Sequence, residues 1–452
     1  MHIVIDNKKT CAVFLYAVFF FLSVGIPVSF ASETGASCNA AECRLRGGLP
    51  NFYGKIARGK NLKIAYFGGS ITNQSGWRVL SLKYFKDKFP KSNFDGINAA
   101  IGGTNSFLGA FRLKHDVLEK NPDLVFVEFA VNDSSSGRTN IIRAMEGIVR
   151  QIWKHNPKTD ICFVYTFTEK DLADRQAGRM SRSQAAMEEV ADRYGIPSVD
   201  MCLEVARLEK EGKLAMKTDF GPLENVAGKV LDVKSDVLVG ADGKIPFSKD
   251  GVHPYPNTGH VIYTRALVRS LEKIEAQGGV ESPHSMGAPM DTKCLENTEI
   301  ISPDMLSLSG GKKIPLNDSF ARPFNGRLPH SYAYIFSPGE TIEFKFRGGT
   351  AALYVVLGYC GGSLDVEIDG KERRIFCYDA YAGFLRVGVL GLVSGGNESD
   401  LHSVKIKVSA DDCDKYSVLK PNYKKHFERN RELYKSKYLV LGALLLSGRL
   451  EN

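Results

Sequence analysis

Ser70 follows two glycines in Tyr66-Phe-Gly-Gly-Ser-Ile-Thr72, directly after an apolar run that includes Leu62, Ile64 and Ala65. Taken alone, a serine there suits an ordinary tight turn. Its hydroxyl is a weak nucleophile unless a base lies within hydrogen-bond reach. His253, in Lys249-Asp-Gly-Val-His-Pro254, can be that base, since imidazole titrates near neutrality. Asp250 precedes it by three residues, so one turn of chain can bring its carboxylate to the other ring nitrogen and fix the tautomer. A tetrahedral intermediate also needs donors preset for its oxyanion. The backbone N–H of Gly103, in Asn98-Ala-Ala-Ile-Gly-Gly-Thr104, is suited to this because no Cβ blocks the approach. Asn132, in Val131-Asn-Asp133, adds an amide donor that does not ionise, and the N–H of Ser70 is the third candidate. Each stretch by itself is turn chemistry. Together they hold every part that acyl transfer to a serine requires.

The elements that must position these residues are legible between about residues 60 and 275. Short apolar runs at Leu62–Phe67, Phe94–Ala99, Leu124–Ala130, Ile161–Thr166 and Pro197–Met201 read as strands. Helical periodicity falls between and after them, at Val79–Phe89, Ala110–Glu119, Ile141–His155, Ser181–Tyr194 and Thr258–Ala276. Alternation of this kind builds βαβ units and a parallel sheet covered by helices on both faces, and such sheets bind ligands at the carboxyl ends of their strands. Ser70 stands at one such end. A Gly-, Pro- and polar-rich stretch at 277–299 reads as a linker, after which helical periodicity stops. Seven short alternating runs follow from Tyr332 to Val408, separated by glycine-bearing turns such as Pro338-Gly339, Gly348-Gly349 and Gly361-Gly362. That spacing predicts an antiparallel β-sandwich over 300–410. Residues 411–452 read as a basic tail, with Lys424, Lys425, Arg429 and Arg431 on a solvated helix face and a short apolar end at Tyr438–Leu446.

Lys8 and Lys9, the apolar stretch Cys11–Val28 and the small-x-small series Ser29-Phe-Ala31 have the order of a secretory signal peptide, which places residues 1–31 outside the mature protein. An uncleaved anchor is the alternative, though Ser23, Gly25 and Pro27 weaken a spanning helix. The expected location is therefore secreted or periplasmic, with no membrane span after signal removal. Eight of the nine cysteines lie beyond Cys11, and export permits disulfides: Cys38 with Cys43, and Cys360 with Cys377, are near in sequence, whereas Cys162 reads as a buried free thiol. No Cys/His metal spacing is present, so neither a metal nor another cofactor is expected. The net charge of +8 comes from 59 basic against 51 acidic side chains spread along 452 residues, without the basic stripe of a nucleic-acid binder.

The four stretches around Ser70, Gly103, Asn132 and Asp250/His253 resemble, in order and spacing, the sequence blocks of the SGNH (GDSL-like) hydrolases. The resemblance covers roughly half the chain. It implies a flavodoxin-like three-layer α/β/α hydrolase domain at about 55–276. It also implies Ser70 as nucleophile, Asp250 and His253 as acid and base, and Ser70, Gly103 and Asn132 as the oxyanion hole, with Gly102 as a one-residue alternative to Gly103. Two positions depart from the family pattern: Gly69 stands where an aspartate is usual, and Ala130 where a glycine is usual. For an exported member the family suggests O-acetyl groups on polysaccharides, lipid esters or small esters as substrates. The absence of an apolar lid segment and the appended sandwich favour an acylated carbohydrate; Tyr354, Tyr359, Tyr378, Tyr381 and Phe384 offer rings that could stack on sugars or fill the sandwich core. An O-acyltransferase on exported glycans and a non-catalytic glycan-binding protein are the rival classes; an intact Ser/His/Asp set argues against the second. Outside the blocks, Glu128 reads as a hydrogen-bond partner behind the site, Trp77 as pocket wall or core, His115 as a surface or core residue and His260 as packing or a cap.

Overall fold

The computed structural model describes residues 39–219 and 231–451. The signal peptide expected at residues 1–31, with Cys11, and also Cys38 lie outside the described residues. The first domain begins with the short strand β1 (Cys43–Arg44) and helix α1 (Pro50–Ala57). It continues through β2 (Leu62–Gly68), α2 (Ser70–Asn73), α3 (Trp77–Lys88), β3 (Phe94–Asn98), α4 (Ser106–Asp116), β4 (Leu124–Glu128) and α5 (Arg138–His155). After these come β5 (Asp160–Tyr165), α6 (Leu172–Gln176), α7 (Arg182–Tyr194), β6 (Ser198–Asp200), α8 (Leu203–Lys210), the pair β7 (Leu214–Lys217) and β8 (Ile245–Ser248), and α9 (Gly259–Gln277). The main sheet runs β1-β6-β5-β4-β2-β3, all parallel except the antiparallel edge β1. This is the expected α/β/α sheet. It starts earlier than residue 55, because β1 and α1 are part of it.

Alternation along the strands builds two cores. Ile64, Tyr66, Phe126 and Val164 face one helical layer, and Ala65, Phe67, Val127 and Phe163 face the other. Strands buried on both faces lose the polar alternation of a half-exposed sheet, which is why they read as continuous apolar runs. The chain passes from β2 to β3 on one side and then crosses to β4 on the other. The resulting crevice, at the carboxyl ends of β2 and β4, is where such sheets hold ligands.

The second domain is antiparallel. Its strands are β9 (Glu299–Ile301), β10 (Ser307–Ser309), β11 (Lys312–Pro315), β12 (Tyr332–Phe336), β13 (Thr341–Leu357), β14 (Ser363–Ile368), β15 (Lys371–Phe376), β16 (Arg386–Val393) and β17 (Leu401–Val408). Helices α10 (Lys415–Val418) and α11 (Pro421–Arg429) and the final strand β18 (Leu439–Glu451) complete it. The long strand β13 joins the layers of the sandwich: its first half pairs with β17, its second half with β16, and its stretch from Lys345 to Val356 with β18. Two of the expected short strands are thus one, because Gly348-Gly349 shifts the register within a strand instead of turning the chain.

Three expectations are corrected here. Residues 439–451 are no tail: they form β18, between β12 and β13, and the buried run from Leu439 to Leu446 is sheet core. Upstream, the Lys415 ammonium is buried and donates to the carbonyls of Tyr359 (2.8 Å), Tyr434 (2.9 Å) and Ser436 (2.6 Å), which fixes the basic segment to the sandwich. Cys360 and Cys377 are both buried but are free thiols, as is Cys162. The linker stretch is a strap lying along α5. Leu295 exchanges hydrogen bonds with Arg143 and Gln151, Met290 and Asp291 donate backbone N–H groups to Glu146, and His284 stacks on Trp153. Gly147 makes this approach possible, since a Cβ there would lie 2.4 Å from the Leu295 carbonyl. Beyond the strap, Ala352, Tyr354 and Val356 of β13 join the core formed by α4 and α5, so one buried cluster runs from the first domain into the second.

Candidate active site

β2 ends at Gly68, and Ser70 opens the one-turn helix α2 with Gly69 extended before it (φ −94°, ψ −151°). The turn is closed by Asn73 N–H to Gly69 O at 3.0 Å and Gln74 N–H to Ser70 O at 3.1 Å. Both glycines are required by contact. A Cβ on Gly68 would lie 2.5 Å from the carbonyl oxygen of Glu128, and one on Gly69 would lie 2.1 Å from Oδ1 of Asn132. The departure from Gly-Asp-Ser therefore has a local cause: the amide of Asn132 lies against the bare Cα of Gly69.

His253 and Asp250 come from the loop between β8 and α9. The two ring nitrogens of His253 are both engaged, Nε2 at 2.8 Å from Ser70 Oγ and Nδ1 at 2.7 Å from Asp250 Oδ2. Asp250 Oδ1 accepts the N–H groups of Val252 and His253, both at 2.9 Å, so the carboxylate caps its own turn and holds the ring together. Burial pushes the Asp250 carboxyl up, but hydrogen bonds and charge from His253 outweigh this and hold it below the usual range. An ionised Asp250 makes Nδ1 the donor and leaves Nε2 to accept the Ser70 hydroxyl proton. Gly251 takes a left-handed conformation (φ +79°) that lets the loop turn here, and its N–H donates to Ser248 Oγ at 2.8 Å.

The residues expected as oxyanion donors lie on loops that adjoin the Gly69-Ser70 turn. The loop after β3 brings Gly102 beside Ser70, where a Cβ would lie 3.6 Å from that of the serine, and Gly103 follows with φ +74°. Asn132 stands in the turn after β4, buried like Ser70 and His253, each no more than 7% exposed. Asp133, next in sequence, accepts Ser106 N–H at 3.3 Å at the start of α4 and so ties the Asn132 turn to the Gly103 loop. Burial pushes its carboxyl up to about 7.

Two supports behind the site carry charge. Glu128, at the end of β4, accepts Thr72 Oγ1 and Thr166 Oγ1, both at 2.8 Å, and the Gly69 N–H, so a buried carboxylate grips the serine turn from below. Burial raises its pKa against these donors. Arg112 of α4 was not singled out by the sequence. It is buried with its guanidinium 4.4 Å from the Phe67 ring, and it donates to the carbonyls of Ala99 and Gly68, the latter at 3.1 Å. It thereby clamps the ends of β2 and β3. Its trace in sequence is a charged residue on the apolar face of an amphipathic helix, beside Asp116 at helical spacing. The remaining candidates sit elsewhere: Trp77 is fully buried core, and His115 is half-buried with Nδ1 3.4 Å from Glu119 Oε2, one helical turn on. Tyr354 and Tyr381 are buried, while Tyr359, Tyr378 and Phe384 pack partly buried around α10 and α11, so these rings form no open platform.

Among the described residues no cluster of His, Cys, Asp and Glu could hold a metal ion, and no helix is long and apolar enough to cross a membrane. Residues 66–255 match the GDSL-like Lipase/Acylhydrolase family. The chain is also similar to a solved two-domain esterase (CEX) active on acetylated mannans, co-crystallised with mannopentaose, at 19% identity and a TM-score of 0.65, covering 90% of this chain and 97% of that one. A second structure of a two-domain esterase (CEX) active on acetylated mannans matches at 19% identity and a TM-score of 0.66, with the same coverage. At that identity the likeness is one of fold across both domains. No curated protein sequence matches the chain.

Proposed function

Because residues 66–255 form a domain of the GDSL-like lipase/acylhydrolase family, and the chain is accordingly a carboxylic ester hydrolase, we propose that it is a secreted serine esterase removing O-acetyl groups from polysaccharides or oligosaccharides. The observation that carries the chemistry is the unbroken hydrogen-bonded line from Ser70 Oγ through both nitrogens of His253 to Asp250. As Ser70 Oγ attacks the acetyl carbon, its proton passes to His253 Nε2 and the carbonyl electrons move to oxygen. That oxyanion is received by the N–H groups of Ser70 and Gly103 and the amide of Asn132. Collapse breaks the bond to the sugar oxygen, which takes the proton from His253 and leaves. Water, deprotonated by His253, then attacks the acetyl-serine; acetate departs and Ser70 recovers its proton. Asp250 stays ionised and stabilises the imidazolium in both halves.

A polar substrate is favoured by what surrounds the serine. The accessible side chains of the four site loops include Asn73, Gln74, Ser75, Asn98, Ser135 and Asn257, whereas none of the exposed large apolar residues among the described residues belongs to those loops. A lipid acyl chain would require an apolar surface to leave water. The shared two-domain architecture with an esterase active on acetylated mannans supports the same class. The test is acetate release from acetylated mannan and xylan, with p-nitrophenyl esters of rising chain length as comparison. Acetyl esters are expected to be preferred, and Ser70→Ala should lower kcat by on the order of 10⁴-fold or more. Preference for long acyl chains would point to a lipase, and undiminished release by the Ser70→Ala variant would remove Ser70 as nucleophile.

A further inference from the structure

Ser70 and His253 lie 183 positions apart in the chain and on different elements, yet their atoms meet at 2.8 Å. Something must set the gap between the turn that carries the serine and the loop that carries the base. The residues that span it are Gln74 and His260. Gln74 is the residue that ends the one-turn helix begun by Ser70, and its N–H is bound to the Ser70 carbonyl. Its side-chain Nε2 donates to the carbonyl of Pro254, the residue immediately after His253, at 3.4 Å. Its Oε1 faces His260 Nε2 at 3.2 Å, and His260 Nδ1 accepts the backbone N–H of Trp77 at 3.2 Å.

The donors and acceptors along this line admit one arrangement. A backbone N–H can only donate, so Nδ1 must be the unprotonated nitrogen and Nε2 must carry the proton that goes to Gln74 Oε1. The glutamine amide is then oriented with its NH₂ toward Pro254 O. His260 is fully buried, and that burial, with the Arg78 guanidinium nearby, holds its pKa down to about 3, which keeps the neutral tautomer in place. The imidazole is also fixed sterically: a Cβ at Gly76 would lie 2.2 Å from the ring, so the chain passes with only a bare Cα against it. Neither Gln74 nor His260 touches the reacting atoms.

We propose that Gln74 and His260 are positioning residues, a neutral hydrogen-bonded strut that holds the Ser70 turn and the His253 loop at the separation proton transfer needs. This rests on Ser70 and His253 acting as nucleophile and base, so the test must read the activation of Ser70 apart from the identity of the substrate. The purified enzyme is treated with a fluorophosphonate, which forms a phosphorus–oxygen bond to an activated serine and expels fluoride. Labelling should be lost in Ser70→Ala; if it persists there, the nucleophile assignment fails and the strut has nothing to position. With that control in hand, Gln74→Ala and His260→Asn are compared by labelling rate, kcat and KM on p-nitrophenyl acetate. The asparagine can still accept the Trp77 N–H but is too short to reach Gln74, so it breaks the strut while keeping the helix start. A misplacement of the base predicts roughly 10- to 100-fold losses in labelling rate and in kcat with KM changed less than about twofold. The double variant should lose no more than the worse single one, because the two residues act as one unit. Labelling and kcat within about twofold of wild type in both single variants, or losses that multiply in the double variant, would overturn the proposal.

Discussion

The contact between Gly69 and Asn132 changes how the serine motif should be read. In a Gly-Asp-Ser sequence the middle residue brings a Cβ and a carboxylate; here a Cβ at that place would fall 2.1 Å from Asn132 Oδ1. Gly69→Ala should therefore displace the proposed oxyanion donor, lowering kcat on p-nitrophenyl acetate by about 10²-fold, near the loss expected for Asn132→Ala itself. Gly69→Asp, which restores the family's usual residue, should be no better than Gly69→Ala. Activity of Gly69→Asp at or above wild type would show that the amide can sit elsewhere. The glycine was legible as a departure, but its cause was not, because it arises from a residue 63 positions later that meets it only in the fold. Ser70, Asp250 and His253 were legible because their roles demand particular side chains, and Asp250 precedes His253 by only three residues. Arg112 and Gln74 were not, since an arginine clamp or a glutamine bridge follows from where carbonyls happen to point.

At the scale of elements, the site depends on how the turn after β4 is fastened to the start of α4, and that fastening is a buried carboxyl. Asp133 is pushed up from 3.8 to about 7, so the folded protein binds its proton more tightly than the unfolded chain does. Its contribution to stability is thus present at acid pH and is lost as pH rises from about 4 through about 7, by up to roughly 4 kcal/mol. Asp133→Asn removes this titration. Its melting temperature relative to wild type should therefore shift in favour of the variant between pH 4 and pH 8; a constant difference across that range would contradict the burial argument. The strands and helices of this domain were read from periodicity with boundaries off by a few residues. The misreadings came where local signals are weakest. Gly348-Gly349 looks like a turn and is a register shift inside β13, and the apolar run at 438–446 looks like an end and is a central strand. In both cases pairing with distant strands overrides the local preference.

For the whole molecule, the strap from Gly278 to Thr298 has a consequence for how the protein comes apart. A flexible linker would leave two domains that melt independently. Here Arg143 pairs with Asp291, Arg150 with Glu296, and Lys293 Nζ donates to Gly395 O of the sandwich at 2.6 Å, while β13 shares its buried face with α4 and α5. Gly147→Ala, which puts a methyl 2.4 Å from the Leu295 carbonyl, should push the strap off α5 and cost about 1–3 kcal/mol in denaturant unfolding; a change under about 0.5 kcal/mol would mean the strap contributes little. Separation would also uncover apolar surface on both sides at once, which makes half-unfolded states unfavourable. Calorimetry should accordingly record one endotherm whose van't Hoff and calorimetric enthalpies agree, with the two domains behaving as a single thermodynamic unit. In that sense the cooperative unit of this protein is larger than either of its folds.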